Sequence, residues 1–158
     1  MRKLKVYIET TLFNFYFDED REMHPHTVKL FKEIAAGKYE AYTSGAVIEE
    51  LVKATEEKYT KMRSLIDEYH ITVLSVSEEA EKLADVYVEE KIIPLKYRTD
   101  AVHIAVATVN DLNMIISMNF EHIVKRKTKI ETEKINISNG YHAVEIFNPM
   151  EVVENEND

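Results

Sequence analysis

Short segments rich in β-forming residues alternate along this chain with longer segments of helical period. The strand-like segments lie at residues 4–8, 39–43, 71–74, 114–117 and 143–147, and the pattern is weakest at 39–43. Helical patterns occur at residues 26–36, 44–55, 57–69, 78–91 and 99–112. Strands that alternate with helices of this length predict βαβ units, and therefore an α/β protein with a central, mainly parallel sheet.

The length and composition fit one folded domain. The chain has 158 residues, of which 45% are hydrophobic, so it can bury a core of its own. We expect the domain to cover residues 1–152 and an acidic C-terminal tail to follow at 153–158. No segment has the apolar length of a signal peptide or a membrane span, and we expect a cytoplasmic protein that does not contact membranes.

The residues that are rare in this sequence exclude several classes of site. The chain has no cysteine, which excludes disulfides, zinc ribbons, iron–sulfur clusters and a thiol nucleophile. Its three glycines, Gly37, Gly45 and Gly140, are too far apart for a P-loop or a GxGxxG turn. The net charge of −9 argues against broad binding to duplex nucleic acid, but it is compatible with a nuclease that carries a carboxylate cluster.

Polar residues follow two of the predicted strands directly. Glu9, Thr10 and Thr11 come after the first strand, and Ser117 and Asn119 come at and after the end of the strand that begins at Met114. In open α/β sheets, ligands bind at the carboxyl ends of the strands, so these are candidate site residues. A capping role for Glu9 and a turn role for Asn119 are the alternative interpretations.

The helix predicted at 99–112 is apolar almost all round, which indicates a buried helix. Asp100 and His103 lie on one stripe of it. Asp100 is either an N-terminal carboxylate that satisfies free N–H groups or a carboxylate held at the floor of a pocket. His103 is either a hydrogen-bonded core residue or a partner of Asp100 or of a substrate.

Helical geometry separates two neighbouring glutamates at 44–55. Glu50 lies at the edge of the apolar face and can reach an interior pocket or remain at the boundary with solvent. Glu49 lies on the other side and is expected at the surface.

Taken together, these candidates offer carboxylate, amide and hydroxyl oxygens, which suit Mg²⁺ or Mn²⁺. Such a site can promote attack of water on a phosphodiester. Competing hydrolytic motifs of the GxSxG and HExxH types are absent from the sequence.

Four motifs in this order resemble the PIN-domain family, which includes the VapC-type toxins of toxin–antitoxin pairs. They are Val6-Tyr7-Ile8-Glu9-Thr10-Thr11, Ser44-x₃-Ile48-Glu49-Glu50-Leu51, Asp100-Ala101-x-His103-Ile104-Ala105 and Ile116-Ser117-Met118-Asn119-Phe120-x-His122-Ile123. The resemblance implies a three-layer α/β/α fold and a metal-dependent endoribonuclease of single-stranded RNA. It also implies self-association, as a dimer, and an antitoxin protein as partner.

The same resemblance assigns roles to residues of this chain. Glu9, Glu50 and Asp100 take the positions of the metal-binding acidic residues, and Asn119 takes the fourth catalytic position. Ser117, Thr10 and His103 take supporting positions. This sequence departs from the family pattern where Glu9 replaces the commoner Asp and where Asn119 carries no charge, so a second metal would be held weakly.

A basic run follows Asn119 and is a candidate RNA contact. Lys125, Arg126 and Lys127, together with Arg98, are expected to meet RNA phosphates, although a solvated helix end explains the run equally well. Three aromatic residues are candidates for base stacking, with core packing expected for the last of them: Tyr16, Tyr97 and Phe120.

Two other functions stay open at this point. One is a catalytically silent module of the same fold that binds a protein partner or RNA, which the uncharged Asn119 favours. The other is an enzyme acting on a small phosphate-containing molecule, which the lack of a glycine-rich anion cradle disfavours.

Overall fold

The computed structural model describes residues 2–154, which form a five-stranded parallel sheet with helices around it. The strands are β1 (Leu4–Ile8), β2 (Tyr39–Ser44), β3 (Thr72–Leu74), β4 (Met114–Ile116) and β5 (Glu145–Phe147). Their spatial order is β3-β2-β1-β4-β5, and each neighbouring pair is parallel. The predicted α/β class with a parallel sheet is confirmed.

Within the same residues the strands are connected by helices. These are α1 (Thr10–Phe15), α2 (His24–Ala35), α3 (Gly45–Leu51), α4 (Glu56–Glu68), α5 (Glu78–Glu89), α6 (Arg98–Val109), α7 (Arg126–Ser138) and α8 (Pro149–Val152). The chain builds the sheet from β1 to β3 in one direction and then adds β4 and β5 on the other side of β1. Right-handed crossovers therefore place helices on both faces of the sheet, which gives three layers.

The burial of the central strand shows that both faces are covered. Val6, Tyr7 and Ile8 point alternately to opposite faces of β1, and all three are fully buried. Helix α6 is buried at every position from Asp100 to Thr108, which confirms the predicted buried helix. Its first two turns lie beside the carboxyl ends of β1 and β4, since His103 hydrogen-bonds Tyr7 of β1 and Asp100 contacts His122 in the loop after β4.

Three of the helices between residues 2 and 154 were not predicted, and one predicted helix is shorter than expected. The helix predicted at 44–55 is α3, which ends at Leu51. The helix predicted at 57–69 is α4, which the Thr55 side chain caps by accepting a hydrogen bond from Lys58 N (3.2 Å). Helices α1, α7 and α8 are additions to the prediction. The buried positions of α7 are polar, so apolar periodicity does not reveal it.

The C-terminal segment packs against α2 as far as the structure describes it. Val153 is buried, and the Glu154 carboxylate pairs with Lys38 Nζ at 2.7 Å. The remaining residues of the predicted acidic tail, 155–158, lie outside the described residues, and the domain limits stay a prediction. Between residues 2 and 154, no helix has both the length and the apolar character that crossing a bilayer requires.

Candidate functional site

The candidate site lies at the carboxyl ends of β1 and β4, where the strand order reverses. Glu9 follows β1 and is almost completely buried, with 2% of its surface exposed. Its Oε1 accepts hydrogen bonds from Ser117 Oγ (2.6 Å), Thr11 Oγ1 (2.5 Å) and Thr11 N (3.2 Å). Glu9 therefore caps α1, as one interpretation expected, and also points into the site.

The hydroxyl groups that hold Glu9 also join the ends of the two strands. Thr11 Oγ1 accepts a hydrogen bond from Met118 N (2.8 Å), and Ser117 Oγ accepts one from Asn119 N (2.9 Å). Each hydroxyl thus donates to the carboxylate and accepts from the loop after β4. Burial raises the pKa of Glu9, although the nearby His103 charge and these hydrogen bonds act in the opposite direction.

Helix α3 brings a second carboxylate to the same place. Glu50 is half-buried, and its Oε1 accepts hydrogen bonds from Thr10 Oγ1 (2.7 Å) and His103 Nε2 (2.5 Å). Its neighbour Glu49 is exposed. Burial acts to raise the pKa of Glu50, but the hydrogen bond and charge of His103 outweigh it, so the pKa is lowered.

His103 lies beneath these two carboxylates and is fully buried. Its Nδ1 is 2.6 Å from the Tyr7 hydroxyl, which is in turn 2.7 Å from Ser44 Oγ. Burial acts to lower the pKa of His103, but the hydrogen bond to Glu50 and the charges of the surrounding carboxylates raise it overall. His103 is therefore a hydrogen-bonded core residue whose carboxylate partner is Glu50, not Asp100.

Ligand atoms of Glu9, Glu50 and His103 lie within 4.8 Å of one another, a spacing that one divalent ion can span. Two carboxylates and an imidazole are a donor set that accepts divalent cations of the first transition row. All protein hydrogen bonds found for these carboxylates within residues 2–154 are made by Oε1, so Oε2 of each is left for another partner. The residues present therefore fit a divalent cation.

Asp100 lies in the first turn of α6, next to this cluster, but is held by other residues. Its Oδ2 is 3.0 Å from His122 Nδ1, and the Tyr97 ring lies on the His122 ring with centroids 4.1 Å apart. Burial raises the pKa of Asp100, while the charges of His103 and His122 and a hydrogen bond from Asn119 act to lower it. Asp100 is not part of the group of ligand atoms that lie within 4.8 Å of one another.

Asn119 makes the turn contact that one interpretation expected, and its catalytic role stays a prediction. Its Oδ1 accepts a hydrogen bond from His122 N (2.9 Å), and its side chain acts to lower the pKa of the nearby Asp100 carboxyl. The loop after β4 therefore supplies Ser117 to Glu9, and Asn119 and His122 to Asp100. No role was predicted for His122, and the signal in the sequence is its position three residues after Asn119, in the same turn.

The candidate RNA contacts are placed differently from one another. Arg98 Nε donates to Asp85 Oδ1 (2.8 Å) and its Nη2 donates to the Glu81 carbonyl, so the expectation that Arg98 meets phosphate is not supported by its contacts. Lys127 Nζ donates to the Lys91 carbonyl (2.9 Å). Lys125 and Arg126 are exposed where α7 begins.

The three aromatic candidates also separate. Tyr16 packs on Phe31 and hydrogen-bonds Tyr69 (2.8 Å), so it belongs to the core margin. Tyr97 is 39% exposed and Phe120 is 49% exposed. The expectation of core packing for Phe120 is therefore wrong, because its loop turns the ring outwards beside Asn119.

The fold and site together define an α/β protein with an acidic centre at the switch point of its sheet. No family model and no curated protein matches the sequence. Its fold is similar to a structure of VapBC2 from Rickettsia felis, bound to a DNA fragment from the promoter, with a TM-score of 0.57 and 12% identity. That match covers 92% of this chain and 98% of the other.

A second similar structure is VapC20 from Mycobacterium tuberculosis, described as a toxin that cleaves the sarcin–ricin loop. The TM-score is 0.54 at 13% identity, and the match covers 89% of this chain and 98% of that one. The predicted resemblance to the PIN-domain family is therefore confirmed at the level of the fold, which is the fold of the VapC toxins.

Proposed function

We propose that this protein is a divalent-metal-dependent endoribonuclease of the PIN type that hydrolyses single-stranded RNA. The observation that carries the proposal is that ligand atoms of Glu9, Glu50 and His103 lie within 4.8 Å of one another, with Asp100 in the first turn of the helix that carries His103. This cluster lies at the switch point of a fold that is similar to that of VapC toxins. The two similar structures are only 12% and 13% identical to this chain, so they support the fold alone. The support for the proposed chemistry comes from the residues of the site.

In the reaction, water attacks the phosphorus of a phosphodiester and the bond between phosphorus and the 3′-oxygen breaks. The products carry a 5′-phosphate and a 3′-hydroxyl. Glu9, Glu50 and Asp100 would hold Mg²⁺ or Mn²⁺ directly or through water. Such a cation lowers the pKa of water and neutralises charge on the phosphodiester oxygens. The residues around the carboxylates keep them in position, because Glu9 and Glu50 each have two hydrogen-bond partners and Asp100 is bound by His122.

The supporting residues divide among the carboxylates. Ser117 and Thr11 orient Glu9, while Thr10 and His103 orient Glu50. His122 and Asn119 orient Asp100. The exposed Lys125 and Arg126 are placed to meet the RNA backbone, and Tyr97 and Phe120 have the exposure needed to stack a base.

We extend the partner class of the VapC relatives to this chain as part of the same proposal. A toxin of this type acts with an antitoxin protein and self-associates as a dimer. A groove of about 240 Å³ opens beside Glu50, between α1 and the α3–α4 segment, next to the carboxylates that an inhibitor would need to cover.

The experiment is cleavage of single-stranded RNA with Mn²⁺ present. Asp100→Asn keeps the shape of the side chain but removes a charge, and we expect the rate to fall at least ~100-fold. Circular dichroism checks that the fold is retained. Glu50→Gln should also lower the rate of cleavage. Glu49→Gln is its matched control and should keep the wild-type rate, because it removes the same charge one residue away on the exposed side of α3.

A wild-type rate for Asp100→Asn would show that the assignment is wrong. The alternative is a catalytically silent module of the same fold, and two observations favour it: Asn119 is uncharged, and the Asp100 carboxylate is already bound by His122. Calorimetry with Mn²⁺ separates the two functions, because a silent module predicts no metal binding near neutral pH.

A further inference from the structure

The two nitrogens of the His103 ring face different surroundings. Nδ1 faces the buried hydroxyl of Tyr7, whereas Nε2 faces the Glu50 carboxylate, whose side chain is 28% exposed. Nε2 is therefore the ring nitrogen on the open side of the cluster, although the ring as a whole is buried.

The hydrogen bonds behind His103 are compatible with a lone pair on Nε2. Nδ1–H can donate to the Tyr7 oxygen, and Tyr7 can then donate to Ser44 Oγ, which also accepts from Ala46 N (3.2 Å). A histidine that binds a metal generally donates its other ring N–H to a fixed acceptor, which sets the tautomer. Tyr7 and Ser44 supply that acceptor chain.

Because Asp100 lies outside the clustered ligand atoms, a ligand position of the cation is left for His103 Nε2. In the described structure Asp100 is bound to His122, while Glu9, Glu50 and His103 are the residues whose ligand atoms cluster. In the metal-free protein Nε2 donates its proton to Glu50 Oε1, 2.5 Å away, so a cation that binds Nε2 replaces this proton and releases it.

We propose that His103 Nε2 is a ligand of the divalent cation beside Glu9 and Glu50, and that this nitrogen makes the site prefer Mn²⁺ to Mg²⁺. The inference rests on the proposed function, because it concerns the same cation. Mg²⁺ favours oxygen ligands, whereas imidazole nitrogen favours transition-metal ions. One nitrogen among the ligands therefore adds affinity for Mn²⁺ that Mg²⁺ does not gain.

Electron spin echo spectroscopy of the Mn²⁺-loaded protein measures this directly, since it detects nitrogen bound to the metal. We expect a coupling to nitrogen in the wild-type protein and its loss in His103→Gln. His122→Asn is the matched control, because His122 is the histidine next to Asp100. The coupling should persist in that variant.

Calorimetric titration with Mn²⁺ and with Mg²⁺ provides a second measurement that does not depend on activity. His103→Gln should lower the affinity for Mn²⁺ about 100-fold or more and the affinity for Mg²⁺ much less. The ratio of the two affinities should therefore be smaller in the variant than in the wild-type protein. Tyr7→Phe removes the acceptor behind Nδ1 and should lower Mn²⁺ affinity about 10- to 100-fold while the nitrogen coupling remains.

The possible results separate this inference from the proposed function. If Mn²⁺ binds and RNA is cleaved but the wild-type spectrum has no nitrogen coupling, His103 is not a ligand and the inference is wrong. A coupling that disappears in His122→Asn and persists in His103→Gln overturns it as well. If no divalent ion binds to the wild-type protein, the proposed function itself is wrong. Should His103→Gln fail to fold, the wild-type and His122→Asn spectra still decide.

Discussion

Ser117 shows how a small residue can determine the geometry of this site. Its hydroxyl donates to Glu9 Oε1 and accepts from Asn119 N, so one side chain joins the carboxylate to the loop after β4. A buried carboxylate that loses a donor has one less partner for its charge. The position of Ser117 is therefore important both for holding Glu9 and for placing Asn119.

Ser117→Ala should lower the affinity for Mn²⁺ by about 10- to 100-fold, because the orientation of Glu9 is no longer fixed. It should also reduce the free energy of unfolding by about 1–3 kcal/mol, the usual effect of leaving a buried polar group without a partner. Calorimetry and urea unfolding measure the two effects. Ser138→Ala, at an exposed serine in α7, is the control and should change neither value. Unaltered Mn²⁺ affinity in Ser117→Ala would contradict this role.

At the scale of single residues, the sequence predicted those site positions that follow from local geometry. Glu9, Ser117 and Asn119 follow strands directly, and the helical face separates Glu50 from Glu49. The roles of Tyr7 and His122 depend on contacts across the fold. In the sequence Tyr7 has only the features of a core residue in a strand. Its hydrogen bond to His103 joins residues that are 96 positions apart.

Among the elements, α7 differs most from what apolar periodicity can predict. Its buried positions are Thr128, Thr132 and Asn136, which repeat every four residues but are polar. The Asn136 side chain accepts from the Tyr87 hydroxyl on α5 and donates to Thr108 Oγ1 on α6 (3.2 Å). The helix is therefore attached largely by buried hydrogen bonds, which a hydrophobic pattern does not register.

Asn136→Ala should destabilise the protein by about 1–3 kcal/mol, because the buried hydroxyls of Tyr87 and Thr108 lose a partner. Urea unfolding followed by circular dichroism measures the change. Glu133→Ala is the matched control on the exposed side of the same helix, and its effect should stay within about 0.5 kcal/mol. Equal stability of the two variants would show that the polar face of α7 does not hold it in place.

The fold of the whole molecule was predictable because apolar residues repeat with different periods in its strands and in most of its helices. The sequence did not give the order of strands in space, yet that order brings Glu9 next to Ser117. With β1 between β2 and β4, the carboxyl ends that carry candidate residues are neighbours. The four motifs converge because the switch point lies between β1 and β4, a property of the complete sheet.

The acidic centre should also determine how the stability of the whole protein depends on pH. Burial raises the pKa of Glu9 and of Asp100, and the carboxylates around His103 raise its pKa despite its burial. Each of these groups keeps its proton to higher pH in the folded protein than in the unfolded chain. The folded state then binds more protons, so the free energy of unfolding falls as pH rises above their ordinary values. Glu50, with a lowered pKa, acts in the opposite direction at acidic pH.

We therefore expect the metal-free protein to lose stability as the pH rises from about 5 through neutrality, measured as the melting temperature in a chelator. Adding Mn²⁺ at about 100 times its Kd should stabilise the protein at the upper end of this range by about 2.7 kcal/mol, since the cation binds the ionised carboxylates.

Glu9→Gln removes the most buried charge and should make the metal-free profile flatter, with a higher melting temperature at the alkaline end. If the Glu9→Gln profile runs parallel to that of the wild type, the charge of Glu9 does not determine the pH dependence. Under the same conditions Glu49→Gln is the control and should follow the wild-type profile, because Glu49 is exposed and lies outside the acidic centre.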